Sequence, residues 1–316
     1  MGITAGLAGL PIDSVIAAEP SVKKFKPLKF GILADIHRDC TSDAEERLDA
    51  FLKKVEVEKP DFIIDLGDFI HDPNPPKNQD FAKQFKTARC PAYHVIGNHE
   101  LEKVSKKEIV PFLEMPAPYY SFDLGGYHCV VLDGNNIYSK GKFIDYEAGN
   151  YFKFLNDLSY VTDAQCEWLA ADLKATKLPV FVFSHQSLLR DTPGISGIPN
   201  REYVQMILEK ENERVGFNKI VACFNGHHHC DFYRCLNNIH YFGINTASHI
   251  WLNNKRVFLQ DPLFCFVEIN ASGRFSLTGK TSQFPQTLEE IPSQSVRYGY
   301  QQTFTITDHV LNLLKG

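Results

Sequence analysis

The chain has 316 residues, room for one large domain or two small ones, and 44% of them are apolar, which is enough for a real core. A net charge of −5 excludes a general attraction to nucleic acid, and no apolar stretch is long enough to cross a membrane as a helix. Eight cysteines with no repeated Cys-x-x-Cys pattern do not fix a redox compartment.

Gly2 to Ala18 is small and apolar and ends in Val15-Ile16-Ala17-Ala18-Glu19-Pro20, like the apolar core and cleavage region of an export signal. The basic start of such a signal is missing. Export to the periplasm is the expected localisation, with a cytoplasmic protein bearing a plain N-terminal extension as the alternative. Residues 1–26 are read as this extension, 27–280 as the catalytic domain, and 281–316 as an unassigned tail.

Phe30-Gly31-Ile32-Leu33-Ala34 reads as a buried strand and leads into Asp35-Ile36-His37. Ser42-Asp43-Ala44-Glu45 resembles a capping box, and Leu48, Phe51, Leu52 and Val55 follow at helical spacing. Phe62 to Leu66 is a second strand, ending in Gly67-Asp68, so the chain opens as a βαβ unit with a parallel pair. A helix is expected from Asn78 to Ala88. Tyr93-His94-Val95-Ile96 then leads into Gly97-Asn98-His99-Glu100, and a helix follows near Lys103 to Leu113. Gly134 to Tyr160 reads as a long aromatic loop. A helix starting at Thr162-Asp163 carries Trp168, Leu169 and Leu173.

Val180 to Phe183 leads into Ser184-His185, followed by a Gly- and Pro-rich loop from Asp191 to Asn200 and a helix from about Asn200 to Glu213. Long loops beside a site shape substrate access. Ile220 to Phe224 leads into Asn225-Gly226-His227-His228-His229. The texture then changes to short strands at Asp231–Leu236, His240–Thr246, Leu263–Ile269 and Arg274–Thr278, with turns at Asn237-Asn238 and Ser272-Gly273. Cys230 and Cys235 read as alternating residues of one strand, and Cys129, Cys223 and Cys265 as small buried hydrophobes. The whole suggests an α/β fold with a two-sheet core and helices outside.

Each of five clusters thus follows a strand, and each alone means little. Together they place carboxylates, imidazoles and an amide oxygen at one edge of a sheet, where open α/β folds put their sites. That donor set suits two divalent or trivalent ions, Mn, Fe or Zn. Two ions about 3.5–4 Å apart clamp an in-line displacement at phosphorus, with a bridging hydroxide as nucleophile.

Asp35-x-His37, Gly67-Asp68, Gly97-Asn98-His99-Glu100, His185 and Gly226-His227-x-His229 resemble the five signature blocks of the calcineurin-like metallophosphoesterase superfamily. The resemblance covers about residues 28 to 250. It implies a four-layer α/β/β/α sandwich with two mixed sheets. One metal would take Asp35, His37 and His229, the other Asn98, His185 and His227, and Asp68 would bridge them. His99 would stabilise phosphoryl oxygens or protonate the leaving group, with Glu100 orienting its ring. His228, between two ligands, is expected to point away.

His94, His128 and His240 read as hydrogen-bonded core residues. His71, three residues after Asp68, stands where purple acid phosphatases carry a tyrosine ligand, and it is a candidate substrate contact. So are Arg38, which directly follows His37, and His249, from a later strand. Tyr138 and Tyr146 of the aromatic loop are candidates to stack on a base.

Gly67-Asp68 is not followed by the Asp-Arg-Gly of protein serine/threonine phosphatases, and no basic, aromatic-interleaved surface suggests a nuclease. The expected function is hydrolysis of a small, nucleotide-like phosphomonoester or phosphodiester. A nucleotide pyrophosphatase with the same site, or a non-catalytic scaffold of the same fold, are the alternatives. The native metals, the specific substrate and the oligomeric state are left open by the sequence.

Overall fold

The computed structural model describes residues 25–154, 158–189, 197–252, 255–283, 296–297 and 300–313. The export-signal reading of residues 2–18 and most of the 191–200 loop lie outside them.

The chain runs β1 (Leu28–Leu33), α1 (Ala44–Glu58), β2 (Phe62–Asp65), α2 (Pro76–Phe85) and β3 (Ala92–His94), then a 3-10 turn at His99–Leu101 and α3 (Lys106–Phe112). Hairpin β4 (Tyr120–Leu124) and β5 (Tyr127–Leu132) precedes a smaller hairpin, β6 (Asn136–Ser139) and β7 (Lys142–Asp145), and a 3-10 turn at Asn150–Lys153. Next come α4 (Asp163–Ala175), β8 (Val180–Ser184), α5 (Arg201–Val215) and β9 (Ile220–Asn225). Six strands follow: β10 (Phe232–Leu236), β11 (Ile239–Gly243), β12 (His249–Leu252), β13 (Lys255–Phe258), β14 (Cys265–Ile269) and β15 (Arg274–Thr278). The described chain closes with β16 (Val296–Arg297), β17 (Tyr300–Gln301) and β18 (His309–Asn312).

Two six-stranded mixed sheets carry the fold, in the orders β18-β15-β14-β1-β2-β3 and β10-β11-β9-β8-β5-β4. They meet through aromatic rings: Phe30 of β1 packs on Phe181 and Phe183 of β8 and on Phe224 of β9, with centroids 5.4 to 5.9 Å apart. Strand β8 shows why its sequence is apolar without a break. Phe181 and Phe183 face the other sheet, while Val180 and Val182 join Leu169, Leu173 and Leu208 under α4 and α5. A strand buried on both faces reads as a continuous apolar run. On the other side, Phe51 of α1 packs on Phe264 and Phe266, completing a four-layer sandwich.

The parallel sets β1-β2-β3 and β5-β8-β9 end at one edge, and all five clusters lie on the turns that leave it. Several expectations are corrected. Asp43 caps α1 without a side-chain bond to the helix backbone and instead accepts from Arg47 Nε, in the first turns of the helix, at 2.7 Å. The capping box belongs to Ser105 and Glu108, at the start of α3. The aromatic loop is partly a hairpin, β6–β7, and the tail contributes β18, which pairs with β15. All eight cysteines are free thiols; Cys235 is on β10, but Cys230 lies before it, buried in the turn after His229.

Candidate metal centre

The backbone at the site is strained at several ligand positions at once. Asp35, His37, Asp68, His227 and His229 all adopt positive φ, between 48° and 64°. Non-glycine residues avoid this region, and such strain concentrates at functional sites. Gly97 is needed because a Cβ there would collide with the carboxylate and amide of Asp68. Gly226 is needed for the same reason, since its Cβ would lie 2.5 Å from Asp35 Oδ2.

Two clusters of acceptor atoms result. In the first, His37 Nε2 lies 3.1 Å from His229 Nε2, and His229 Nε2 lies 3.3 Å from Asp35 Oδ1. In the second, His185 Nε2 lies 3.1 Å from His227 Nδ1 and 3.3 Å from Asn98 Oδ1. Asp68 Oδ2 faces both, 3.8 Å from His37 Nε2 and 3.1 Å from His185 Nε2, while Oδ1 accepts the His99 N–H at 2.9 Å.

The tautomers make these clusters a fit for cations. His229 Nδ1 donates to the His249 carbonyl and His185 Nδ1 to the Leu66 carbonyl, while His37 Nδ1 is engaged by His71 Nε2 at 3.0 Å. Each Nε2 therefore faces another ligand-type atom, with a lone pair to offer once it carries no proton. Two lone pairs at about 3 Å repel unless a cation lies between them, and two ligands each about 2.1 Å from one ion stand about 3.0–3.4 Å apart. Burial keeps the His37 ring well below its ordinary pKa, hence neutral. Burial opposes the Asp68 charge, but His185 and His99 outweigh it and hold this carboxyl well below the usual range. The residues thus fit two ions, one in each cluster, with Asp68 between them.

His99 lies on the first 3-10 turn, with Nε2 3.9 Å from Asp68 Oδ2. The expectation that Glu100 orients it is corrected. Glu100 is fully buried and accepts four backbone N–H groups: Asp68 at 3.0 Å, Phe69 at 2.5 Å, Ile70 at 3.1 Å and Gly97 at 2.7 Å. It ties the β2 and β3 turns together. The carboxylate on His99 Nδ1 is Glu102 Oε1, at 2.5 Å, because residues three apart on a 3-10 turn share a face. Burial opposes the Glu102 charge, but His71 and His99 outweigh it and hold the carboxyl at about 2. His71 stacks on His99 with centroids 4.4 Å apart and faces Glu102 Oε2 at 3.6 Å, so it joins His37 to the His99–Glu102 pair.

The other expected contacts divide. His249 does reach the site and is buried against His37 and His229. Arg38 is spent on Glu45 of α1 and lies over Phe81. Tyr138 is exposed on the β6–β7 hairpin, stacked on Phe143 and Tyr160. Tyr146 is buried, and its hydroxyl takes the Ser159 N–H at 2.9 Å. Its ring backs Tyr151, 4.5 Å away, and it is the Tyr151 hydroxyl that lies beside Asn98. That hydroxyl is buried and makes no hydrogen bond among the described residues. Glu102 and Tyr151 were not singled out from the sequence; the i, i+3 spacing from His99 was the available signal for Glu102. His228 is buried against Phe232 and joins neither cluster. His94 bonds Asp65, His128 lies between Asp123 and Asp172, and His240 meets the Tyr233 hydroxyl.

Comparison with known proteins agrees with this geometry. Residues 28–231 match the calcineurin-like phosphoesterase family. The chain is 26% identical over 210 residues to a manganese-dependent ADP-ribose/CDP-alcohol diphosphatase of Arabidopsis thaliana, a match covering 53% of this chain and 64% of that protein. Its fold is similar to a dimetal phosphatase from Danio rerio, with TM-score 0.62 and 15% identity over 90% of this chain and 99% of that one. It is also similar to a purple acid phosphatase from yellow lupin, with TM-score 0.52 and 13% identity over 89% of this chain and 54% of that one. With two thirds of its length matched by the family, ligand turns included, the chain belongs to the calcineurin-like phosphoesterases.

Proposed function

We propose that the protein is a dimetal-dependent hydrolase of small, nucleotide-like phosphate esters. The observation that carries this is the shared oxygen: Asp68 Oδ2 faces both acceptor clusters and His99 Nε2 at once. Asp35, His37 and His229 would hold one ion and Asn98, His185 and His227 the other. Bound divalent ions supply an activated water and positive charge at the phosphoryl oxygens.

The chain's own groups do the rest. Glu102 holds the hydrogen on His99 Nδ1 and aims Nε2 at the reacting centre; with hydrogen on both nitrogens, the ring gives its Nε2 proton to the leaving oxygen and is left neutral, protonated on Nδ1. The Tyr151 hydroxyl donates a hydrogen bond to a phosphoryl oxygen. Burial pushes this phenol far above its ordinary pKa, so it stays a donor. Phe152, 65% exposed and stacked against Tyr151, offers a base an aromatic face in place of Tyr146.

A second reading is cleavage of a phosphoanhydride. It is favoured by the Arabidopsis relative, whose name is that of a diphosphatase. The test is hydrolysis of p-nitrophenyl phosphate, bis(p-nitrophenyl) phosphate and ADP-ribose by protein stripped of metal and reloaded with Mn, Zn or Fe. Turnover should require metal and vanish in Asp68→Asn, and the preferred substrate chooses between ester and anhydride. A chain that binds no metal sinks both readings.

A further inference from the structure

We propose that His249 is a fourth protein ligand, beyond Asp35, His37 and His229, of the metal in the first cluster. This rests on the dimetal reading above and goes beyond its ligand set.

The argument starts at the β11–β12 connection, Ile244 to Ser248, which runs under the Asp35 turn. Ala247 N–H donates to the Ala34 carbonyl at 2.8 Å, and the Thr246 and Ser248 hydroxyls both reach the Asp35 carbonyl, at 2.8 and 2.7 Å. These bonds fix His249, the next residue, relative to a metal ligand 214 positions earlier in the chain. The Ser248 hydroxyl has one hydrogen, and its shortest contact, to Asp35, takes it. Its oxygen is then the acceptor for His249 Nδ1 at 3.0 Å. A neutral imidazole that donates from Nδ1 carries its lone pair on Nε2.

His249 is therefore in the same condition as its neighbours. His37 and His229 each have Nδ1 engaged, by His71 and by the His249 carbonyl, and bring Nε2 to within 3.1 Å of each other. The three rings are buried, their centroids are 4.8 to 5.2 Å apart, and each brings one ligand atom within 4.8 Å of the others. The outer side of His249 is closed by Trp251 and Phe258. That apolar wall turns the ring inward and gives its nitrogen no access to bulk water from behind. Three buried imidazoles whose ligand atoms converge this closely form the donor set of a shared Lewis acid. A substrate contact is the weaker assignment, because His249 lies behind His37 and His229 at 1% exposure, whereas His99 at the mouth keeps 24% of its side chain open.

The experiment compares metal uptake by the full-length wild type, His249→Gln and His249→Ala, using Zn or Co(II) and no substrate. Loss of His249 should weaken one of the two sites, that of the first cluster, by at least the ten- to hundredfold that even outer-sphere losses cause. It should also change the Co(II) visible absorption, while circular dichroism stays that of the wild type. Affinity within twofold and an unchanged Co(II) spectrum would overturn the assignment. Anomalous diffraction from Zn-loaded wild-type crystals decides the matter even if the variants fail to fold. A His249 nitrogen about 2.0–2.1 Å from the ion supports it, and a ring turned away overturns it. Wild-type protein that takes up no metal would overturn both this assignment and the dimetal reading, whereas two ions bound without His249 overturn this one alone.

Discussion

Glu100→Gln is the sharpest test of how the site is held together. In the native chain one carboxylate oxygen accepts from Phe69 and Ile70, and the other from Asp68 and Gly97. Glutamine keeps one oxygen and can serve only two of these four donors. Its amide nitrogen then faces the other two N–H groups, donor against donor. Each buried N–H without an acceptor costs about 1–3 kcal/mol, so the variant should lose about 2–6 kcal/mol. A domain has only about 5–15 kcal/mol in total. The assay is urea unfolding of metal-free protein at pH 8. Burial and the Asp68 charge push the Glu100 carboxyl to about 7, so the wild type then carries the ionised form. The midpoint should fall at constant slope. Stability within about 1 kcal/mol of wild type, combined with a loss of turnover, would refute the reasoning and return Glu100 to the role of orienting His99.

Further outcomes follow from the same geometry. His99→Ala should lower kcat by about 10²–10⁴ with both ions retained, measured by steady-state kinetics beside metal analysis. Glu102→Gln should lower kcat more than it raises KM, because a neutral amide no longer supports the positive charge of the ring that gives up its Nε2 proton; an unchanged kcat would remove Glu102 from the mechanism. Tyr151→Phe should weaken inhibition by phosphate about tenfold, the scale of one hydrogen bond, without altering metal content; a loss of metal instead would mean that Tyr151 serves Asn98. Burial opposes the charge on His185, but Asp68 outweighs it and raises the ring to about 10. In metal-free protein near pH 7.5 the ring is therefore protonated, and the incoming ion must expel that proton. Metal affinity should rise with pH up to about 10. Calorimetry in buffers of different ionisation enthalpy should show at least one proton released per chain, and none released would contradict the assignment.

The sequence carried the strands and the seven residues that converge in the two clusters because both are local. A strand buried on two faces leaves an unbroken apolar run, as Val180 to Phe183 does, and a ligand turn follows it directly. Glu102 was hidden because Glu100, adjacent to His99, is the tempting partner; only the 3-10 geometry turns residue 102 towards the ring. Tyr146 and Tyr151 have the same composition signal, and which one meets Asn98 depends on a tertiary stack. The loop that carries them is pinned by Gly149 to Leu101 and by Ala148 to Val104, contacts that no periodicity reveals. Strand β18 was invisible for a similar reason: four residues at an edge, alternately exposed, earn their place only by pairing with β15.

The distance along the chain between the parts of the centre has a consequence for how the protein is made. His227 N–H meets Asp35 across 192 residues, and Arg47 reaches the Leu259 carbonyl across 212. During synthesis the amino-terminal ligands emerge first and stay hydrated until β9 and the β11–β12 connection arrive. Closing such remote contacts is slow, because chain entropy is lost before the contacts reward it. The ion pocket therefore cannot close before β9 and the β11–β12 connection have joined the amino-terminal turns, and tight metal uptake by a nascent chain reports that this long-range closure has taken place.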